Sequence, residues 1–158
     1  MNKIVAAETI HVIKKAFLSR IKTISIMATP IDAVTVYKDS FSKNGTNTGK
    51  NQTYQGATVI PDLHSINWPN TSNNESTDIS ALSIGSDAWF LAFDGKGCDG
   101  DAILFTPSQQ VNDLKSVTRG KSSNWDNEIK SFVIFSSDPS DNLSQGNITF
   151  STYPSTDG

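Results

Sequence analysis

The sequence predicts an all-β protein in which two four-stranded Greek key units pack face to face as one β-sandwich. Three observations support this fold class: the composition, the period-two hydrophobic alternation and an internal repeat. Ser, Thr and Asn together supply 49 of the 158 residues. These side chains hydrogen-bond their own backbone, which favours turns and strand edges over helix interiors. A chain of this length forms one domain, or one domain with tails.

Residues 1–32 are predicted to form a basic extension outside the domain. Apolar residues recur every three or four positions over residues 10–24, with lysines and an arginine between them, which is an amphipathic helix pattern without a clear cap. Neither a secretory signal nor a transmembrane stretch is recognised. Three interpretations stay open: a helix that touches a surface or membrane, a transit-like leader, and a segment dispensable for the fold. Met27 resembles a second natural start and favours the third.

The first Greek key is predicted at residues 33–85. Its four strands are expected at residues 33–37, 57–60, 63–67 and 79–84, where apolar and β-branched residues alternate with polar ones. Residues 38–53 are rich in Gly, Asn, Thr and Lys, so we expect a long exposed loop there.

The second Greek key is predicted at residues 88–136. Its four strands are expected at residues 88–93, 101–105, 113–117 and 129–135. The first of these strands is too apolar for a solvated face and should be central in its sheet. Residues 137–158 form a polar tail, in which residues 147–153 are either one extra edge strand or disordered.

An internal repeat is the main support for two related units. Residues 62–66 and 113–117 both read Asp-Leu-polar-Ser-β-branched. The hexamers that begin at Ile79 and Ile129 both read Ile-polar-small-apolar-x-Ile, and upstream of them a Gly precedes a strand in each unit. The three echoes occur in the same order. Because neither unit alone can close a core, the two are expected to pack together.

The charge distribution limits the partners. The net charge is −3, but residues 1–26 carry +4, so the other 132 residues carry −7. An acidic body repels phosphate backbones, and we therefore expect no nucleic-acid binding. A surplus of carboxylates suits a hard cation such as Ca²⁺. The single cysteine, Cys98, excludes an intramolecular disulfide framework and a cysteine-based zinc cluster.

With these units placed, the chain resembles the βγ-crystallin superfamily, and within it the microbial, spherulin-like single-domain members. A crystallin Greek key begins with an aromatic residue, followed five residues later by a second aromatic, one further residue and Gly. Phe93 and Cys98 keep this spacing, with cysteine in the second aromatic position. In the first unit, Tyr37 and Tyr54 are separated by the long insertion. The resemblance covers about residues 33–136.

The family's calcium motif consists of two Asn or Asp, two variable residues, Ser or Thr, and then Ser. Residues 126–131 (Asp-Asn-Glu-Ile-Lys-Ser) match it, except that Lys130 replaces the Ser or Thr. Residues 76–81 (Ser-Thr-Asp-Ile-Ser-Ala) keep Ser80 but have Ser and Thr where acids or amides belong. In the family, each of two calcium sites takes oxygens from both motifs and from a hairpin, because Ca²⁺ needs six to eight of them.

The resemblance implies one working Ca²⁺ site and one degenerate site. The ligands of the working site would be the Asn127 side chain, the Glu128 carbonyl, the Ser80 hydroxyl and the Asp94 carbonyl. Asp126 and Ser131 are expected to support this site. The degenerate site would use Thr77, the Asp78 carbonyl, a carbonyl near Lys38, and Lys130 in place of an oxygen.

Lys130 is the reason to expect only one site. An ammonium at a ligand position removes an oxygen and repels the cation by about 4 kcal/mol per unit charge at 4 Å, for an effective dielectric constant near 20. In the alternative interpretation, Lys130 points to solvent and both loops are metal-free turns capped by Asp126 and Asp78.

These features predict a non-enzymatic, calcium-binding protein in which Ca²⁺ stabilises the fold. A stress, dormancy or structural role is implied by the resemblance alone. The alternative is an interaction module in which Ca²⁺ or the polar loops mediate adhesion or contact with a carbohydrate or protein. No constellation of residues supports an enzyme. We expect a cytoplasmic location because no secretory signal is recognised, and self-association as a homo-oligomer is left open.

Overall fold

A computed structural model of the chain describes residues 33–63 and 78–154, which fall within the unit Ile31–Gly158. The predicted N-terminal extension, with its helix pattern, lies outside the described residues. Thr77 of the degenerate site and residues 64–67 of a predicted strand lie outside them too.

The regular secondary structure of the described residues is mainly β-strand, and we number the strands in chain order. They are β1 (Ala33–Tyr37), β2 (Asn51–Gln55), β3 (Thr58–Ile60), β4 (Ala81–Ile84), β5 (Trp89–Phe93), β6 (Ala102–Phe105), β7 (Gln110–Val111), β8 (Thr118–Arg119), β9 (Ser123–Asn124), β10 (Ser131–Phe135) and β11 (Ser151–Tyr153). A 3₁₀ turn lies at Leu114–Ser116, and a short helix, α1, lies at Ser140–Gln145. Within the described residues, no helix is long and apolar enough to cross a membrane.

Most of the strands form two sheets, and each sheet contains strands from both Greek keys. The first sheet has the order β2-β1-β4-β7, the second has the order β11-β6-β5-β10-β3, and β8 and β9 form a separate small ladder. Neighbouring strands are antiparallel, except that β11 runs parallel to β6. The first key consists of β1 to β4, and the second of β5, β6, β7 and β10. The prediction of an all-β sandwich of two Greek keys is therefore confirmed.

The third strand of each key belongs to the other key's sheet. Strand β3 pairs with β10, and β7 pairs with β4. Each sheet therefore ends in a strand supplied by the opposite key. The sequence pattern predicts two units that pack together, and the structure adds that each unit supplies an edge strand to the sheet of the other unit.

The core contains side chains from both sheets. Val34 and Val36 of β1 are buried together with Phe90 of β5 and Phe132 of β10. Tyr54 of the first sheet meets Phe132 of the second edge to face, with ring centroids 5.1 Å apart. A fully buried aromatic or aliphatic side chain contributes about 1.5–3 kcal/mol. Strand β5 is the middle strand of its sheet, as its apolar sequence predicts.

The internal repeat appears as matching hydrogen bonds between the keys. The main-chain N–H of Leu114 donates to the Ser80 carbonyl at 2.8 Å, and that of Leu63 donates to the Lys130 carbonyl at 2.9 Å. A second matching pair consists of Phe41 N–H to the Asn112 carbonyl at 2.8 Å and Gly97 N–H to the Pro61 carbonyl at 2.6 Å. In each bond the donor and the acceptor belong to different keys, so the repeated residues fasten one unit to the other.

Some predicted strand positions in the first key are wrong. The sequence predicts a loop up to residue 53, whereas residues 51–55 form β2, a polar edge strand whose residues are alternately exposed and half-buried. Because β2 is the true second strand, residues 58–60 form the third strand of the key and not the second. The loop that follows β1 therefore ends at residue 50 and not at residue 53.

The third strand of the second key also differs from the prediction. The sequence predicts a strand at residues 113–117, but Leu114–Ser116 is a 3₁₀ turn. The Asp113 side chain caps this turn by accepting a hydrogen bond from the Lys115 N–H at 3.0 Å, which holds the chain away from the extended conformation. Strand β7, at Gln110–Val111, takes the third position instead.

Candidate metal centre

The Ser80 hydroxyl and the Asn127 side chain meet, although 47 residues separate them in the sequence. Ser80 is buried just before β4, and its Oγ donates to Asn127 Oδ1 at 3.2 Å. The Asn127 N–H donates to the Ile79 carbonyl at 3.1 Å, so the main chains of the two motif loops are also joined. Ligand oxygens about 2.3–2.6 Å from one Ca²⁺ lie roughly 3 Å from each other. The observed separation is therefore suitable for shared ligation.

A left-handed backbone at Asn127 sets the direction of its side chain. Its φ is 60°, a conformation that Asn tolerates better than most residues other than Gly. Asn127 Nδ2 donates to Asp126 Oδ2 at 3.3 Å. This bond turns Oδ1, the better calcium ligand, toward Ser80.

The main-chain oxygens of Asp94 and Glu128 are available as ligands. Asp94 follows β5 in the hairpin to β6, and Glu128 lies in the loop before β10. Within residues 33–63 and 78–154, no main-chain N–H of a turn or loop donates to either carbonyl oxygen. Their backbones are nearby, because the Lys130 N–H donates to the Phe93 carbonyl at 2.8 Å.

The side chains of Asp94 and Glu128 are both engaged by Arg119. The guanidinium forms an ion pair with Asp94 Oδ2 and lies 3.6 Å from Glu128 Oε2. Asp94 Oδ1 accepts a hydrogen bond from the Asp101 N–H at 2.8 Å. The Asp94 carboxylate is thus held on both oxygens.

Ser131 ties the hairpin after β5 to β10. It is fully buried, and its Oγ donates to the Gly95 carbonyl at 2.6 Å and accepts from the Cys98 N–H at 3.0 Å. These two bonds close the turn that contains the Asp94 carbonyl.

Asp126 lies behind the loop with a side chain only 9% exposed. Its Oδ2 accepts the bond from Asn127 and lies 3.9 Å from Lys115 Nζ. Its Oδ1 is buried and has no hydrogen-bond partner among the described residues. Asp126 therefore places a buried negative charge next to the proposed ligand Asn127.

The structure describes only part of the degenerate site. Lys130 Nζ donates to the Asn127 carbonyl at 3.2 Å, so the ammonium is directed to its own loop and not simply to solvent. The Ser80 N–H donates to the Tyr37 carbonyl at 2.9 Å, which brings the first motif beside Lys38. Asp78 begins the second described range, and Thr77 lies outside it.

The donors of the working set suit Ca²⁺ better than a softer metal. They are a hydroxyl, an amide oxygen and two main-chain carbonyls, which are the hard oxygens that calcium accepts. In the part of the chain that the structure describes, no group of three or more His, Cys, Asp or Glu side chains lies together. A set without carboxylate ligands has low charge, so weak binding is expected.

Arg119 is the site residue that the sequence pattern missed. It lies outside both calcium motifs, 25 residues from Asp94, and no spacing rule connects the two. One signal was available: Arg119 is the only arginine after residue 20, in a chain that otherwise uses lysine. Arginine is the residue whose planar fork of donors suits contacts with more than one carboxylate oxygen.

The packed antiparallel sheets match the β-sandwich fold of solved βγ-crystallin domains. One solved structure, from work on the evolution of the eye lens βγ-crystallin domain fold, is 20% identical to this chain. The match covers 72% of this chain and 96% of that one, with a TM-score of 0.51. Spherulin 3A from Physarum polycephalum is 20% identical over 72% and 93%, with a TM-score of 0.45. A βγ-crystallin domain from Clostridium beijerinckii is 18% identical over 67% and 100%, with a TM-score of 0.44.

The motif-based resemblance is confirmed at the level of the fold. No family model matches the sequence, and no curated protein is significantly similar to it. At this identity, structural similarity establishes the fold and not the activity. The function is therefore argued from the residues of the site.

Proposed function

We propose that this protein is a non-enzymatic, calcium-binding domain with one site. Its ligands are the Ser80 hydroxyl, the Asn127 side-chain oxygen and the carbonyls of Asp94 and Glu128. The observation that carries the proposal is the 3.2 Å contact between Ser80 and Asn127. It places two oxygens from different motif loops side by side, and a cation bound there would link the two Greek keys.

Calcium bound at this site would act as a stabiliser. A cation that joins loops of both keys binds only when the keys are packed together, so it favours the native state. A tenfold excess of Ca²⁺ over the dissociation constant would add about 1.4 kcal/mol to the free energy of unfolding. This suits a structural or stress-related role better than a catalytic one.

The stoichiometry should be one Ca²⁺ per chain. At the equivalent position of the second site, Lys130 supplies an ammonium, and Thr77 replaces the Asn or Asp of the motif. The remaining neutral oxygens do not compensate for the positive charge of Lys130.

Isothermal titration of the metal-stripped protein with CaCl₂ tests the proposal. The wild type should bind one Ca²⁺, and Asn127→Gly should abolish the binding, because glycine removes the oxygen but tolerates the same positive φ. Asn147→Gly is the matched control, since Asn147 also has a positive φ, of 55°, but follows α1, outside the site. It should bind like the wild type.

Two results would contradict the proposal. One is the absence of a binding signal for the wild type at millimolar Ca²⁺, and the other is two equivalent sites. Thermal unfolding gives an independent measurement: millimolar Ca²⁺ should raise the melting temperature of the wild type and of Asn147→Gly, but not that of Asn127→Gly.

A further inference from the structure

We infer that Arg119 is a positioning residue for calcium binding, an inference that rests on the function proposed above. Its guanidinium contacts the carboxylates of Asp94 and Glu128. These are the two residues whose main-chain oxygens are the proposed ligands. Arg119 belongs to β8 and lies outside both calcium motifs, so it is a component of the site that the motif does not include.

Its surroundings hold Arg119 in place. Its side chain is 20% exposed, and its Cζ lies 5.9 Å from the ring centroid of Trp125, which is buried. Cation–π contact of this kind favours a fixed guanidinium orientation. The main-chain N–H of Trp125 donates to the Val117 carbonyl at 3.0 Å, which joins the backbone that carries the ring to the residue before β8.

A guanidinium suits these two contacts better than an ammonium. A guanidinium is planar and offers five N–H donors in a fixed fork, so it can hold two carboxylates at once. The ion pair with Asp94 holds the hairpin after β5, and the longer contact with Glu128, at 3.6 Å, reaches the loop before β10. Arg119 therefore sets the distance between two peptide groups that have to point at the same cation.

The hairpin is adapted to this contact. A Cβ on Gly100 would lie 2.0 Å from Asp94 Oδ1, and Gly100 has a φ of 87°. The glycine thus leaves space for the carboxylate in the position where Arg119 and the Asp101 N–H hold it. With its side chain fixed at both oxygens, the Asp94 peptide has little freedom to rotate its carbonyl away.

The direction in which the calcium dissociation constant changes can distinguish positioning by Arg119 from simple charge repulsion. A guanidinium near the site repels a dication, so removing the charge alone should tighten calcium binding. Loss of positioning should weaken it. The two effects predict opposite changes in the dissociation constant.

The experiment is calcium titration by calorimetry of the full chain and of three variants. Arg119→Met should bind Ca²⁺ about tenfold or more weakly, the range typical for residues that orient metal ligands. Arg119→Lys keeps the charge but loses the fork and should also bind more weakly. The control is Lys115→Met, because the Lys115 side chain is 65% exposed and its ammonium lies 3.9 Å from Asp126 and not against Asp94 or Glu128. Its affinity should stay unchanged or rise.

Circular dichroism in chelator should verify that each variant is folded before titration. If Arg119→Met does not fold, Arg119→Lys decides the question, since a wild-type affinity in that variant overturns the inference. Wild-type or tighter binding by Arg119→Met overturns the inference alone and leaves the proposed function intact. Absence of binding by the wild type overturns the proposed function and this inference together.

Discussion

Replacing Ser131 with alanine should lower the free energy of unfolding by about 2 kcal/mol in the absence of calcium. The Ser131 hydroxyl serves two main-chain groups, the Gly95 carbonyl at 2.6 Å and the Cys98 N–H at 3.0 Å. An unsatisfied buried group costs about 1–3 kcal/mol. Gly95 and Cys98 are only partly buried, so water replaces part of each bond. The lower limit of about 1 kcal/mol therefore applies to each of the two groups, which gives about 2 kcal/mol in total.

Urea denaturation in chelator measures this change as a shift of the midpoint at constant slope. The control is Ser116→Ala, whose exposed hydroxyl donates to the Asp113 carbonyl at 2.6 Å. Because water can replace that bond, the change should stay within about 0.5 kcal/mol. A change equally small in Ser131→Ala would refute the reasoning that this hydroxyl closes the hairpin. The first key has Ala81 at the equivalent position, so a serine there is not a general requirement of the fold.

Three further predictions concern the metal, the hairpin and pH. Lys130→Ser should bind a second Ca²⁺ in calorimetry, since it replaces the ammonium with a hydroxyl; unchanged stoichiometry would argue against Lys130 as the cause of degeneracy. Gly100→Ala should lower the melting temperature more than Gly120→Ala: both glycines have a positive φ, but nothing lies within 4 Å of a Cβ on Gly120. Burial raises the pKa of Tyr54 from 10.0 to about 12, so the tyrosine of the unfolded chain loses its proton at a lower pH than that of the folded chain. The free energy of unfolding should therefore be unaffected by this group below pH 10 and should fall as the pH rises toward 12. Tyr54→Phe should show a smaller fall in denaturation experiments over the same range, and an identical fall would exclude Tyr54 as its source.

Strands with a distinctive sequence were predictable, and polar or very short ones were not. Strand β5 is almost wholly apolar, so its central position follows from hydrophobicity alone. Strand β2 reads Asn-Gln-Thr-Tyr-Gln, and it is a strand because β1 offers it a free edge, which no local pattern records. The turn at Leu114–Ser116 carries a strand-like sequence, but the Asp113 cap decides its conformation. The exchange of β3 and β7 depends on how the keys pack, which is a tertiary property.

The residues of the candidate site also include some that the sequence could predict and one that it could not. Ser80 and Asn127 were predictable because each occupies a fixed place in a short motif. Arg119 was not, because its contacts with Asp94 and Glu128 join segments that only the fold brings together.

The exchanged third strands have a consequence for how the chain folds. Strand β3 pairs Ile60 with Phe132, and β7 pairs Val111 with Leu82, so neither sheet can be finished until both halves of the chain are present. Closing such long loops costs entropy before any contact is gained, and folding should be slow for a domain of this size. A nascent or truncated first key would expose one edge of β4 to solvent. The two halves should therefore gain and lose their structure in one cooperative step.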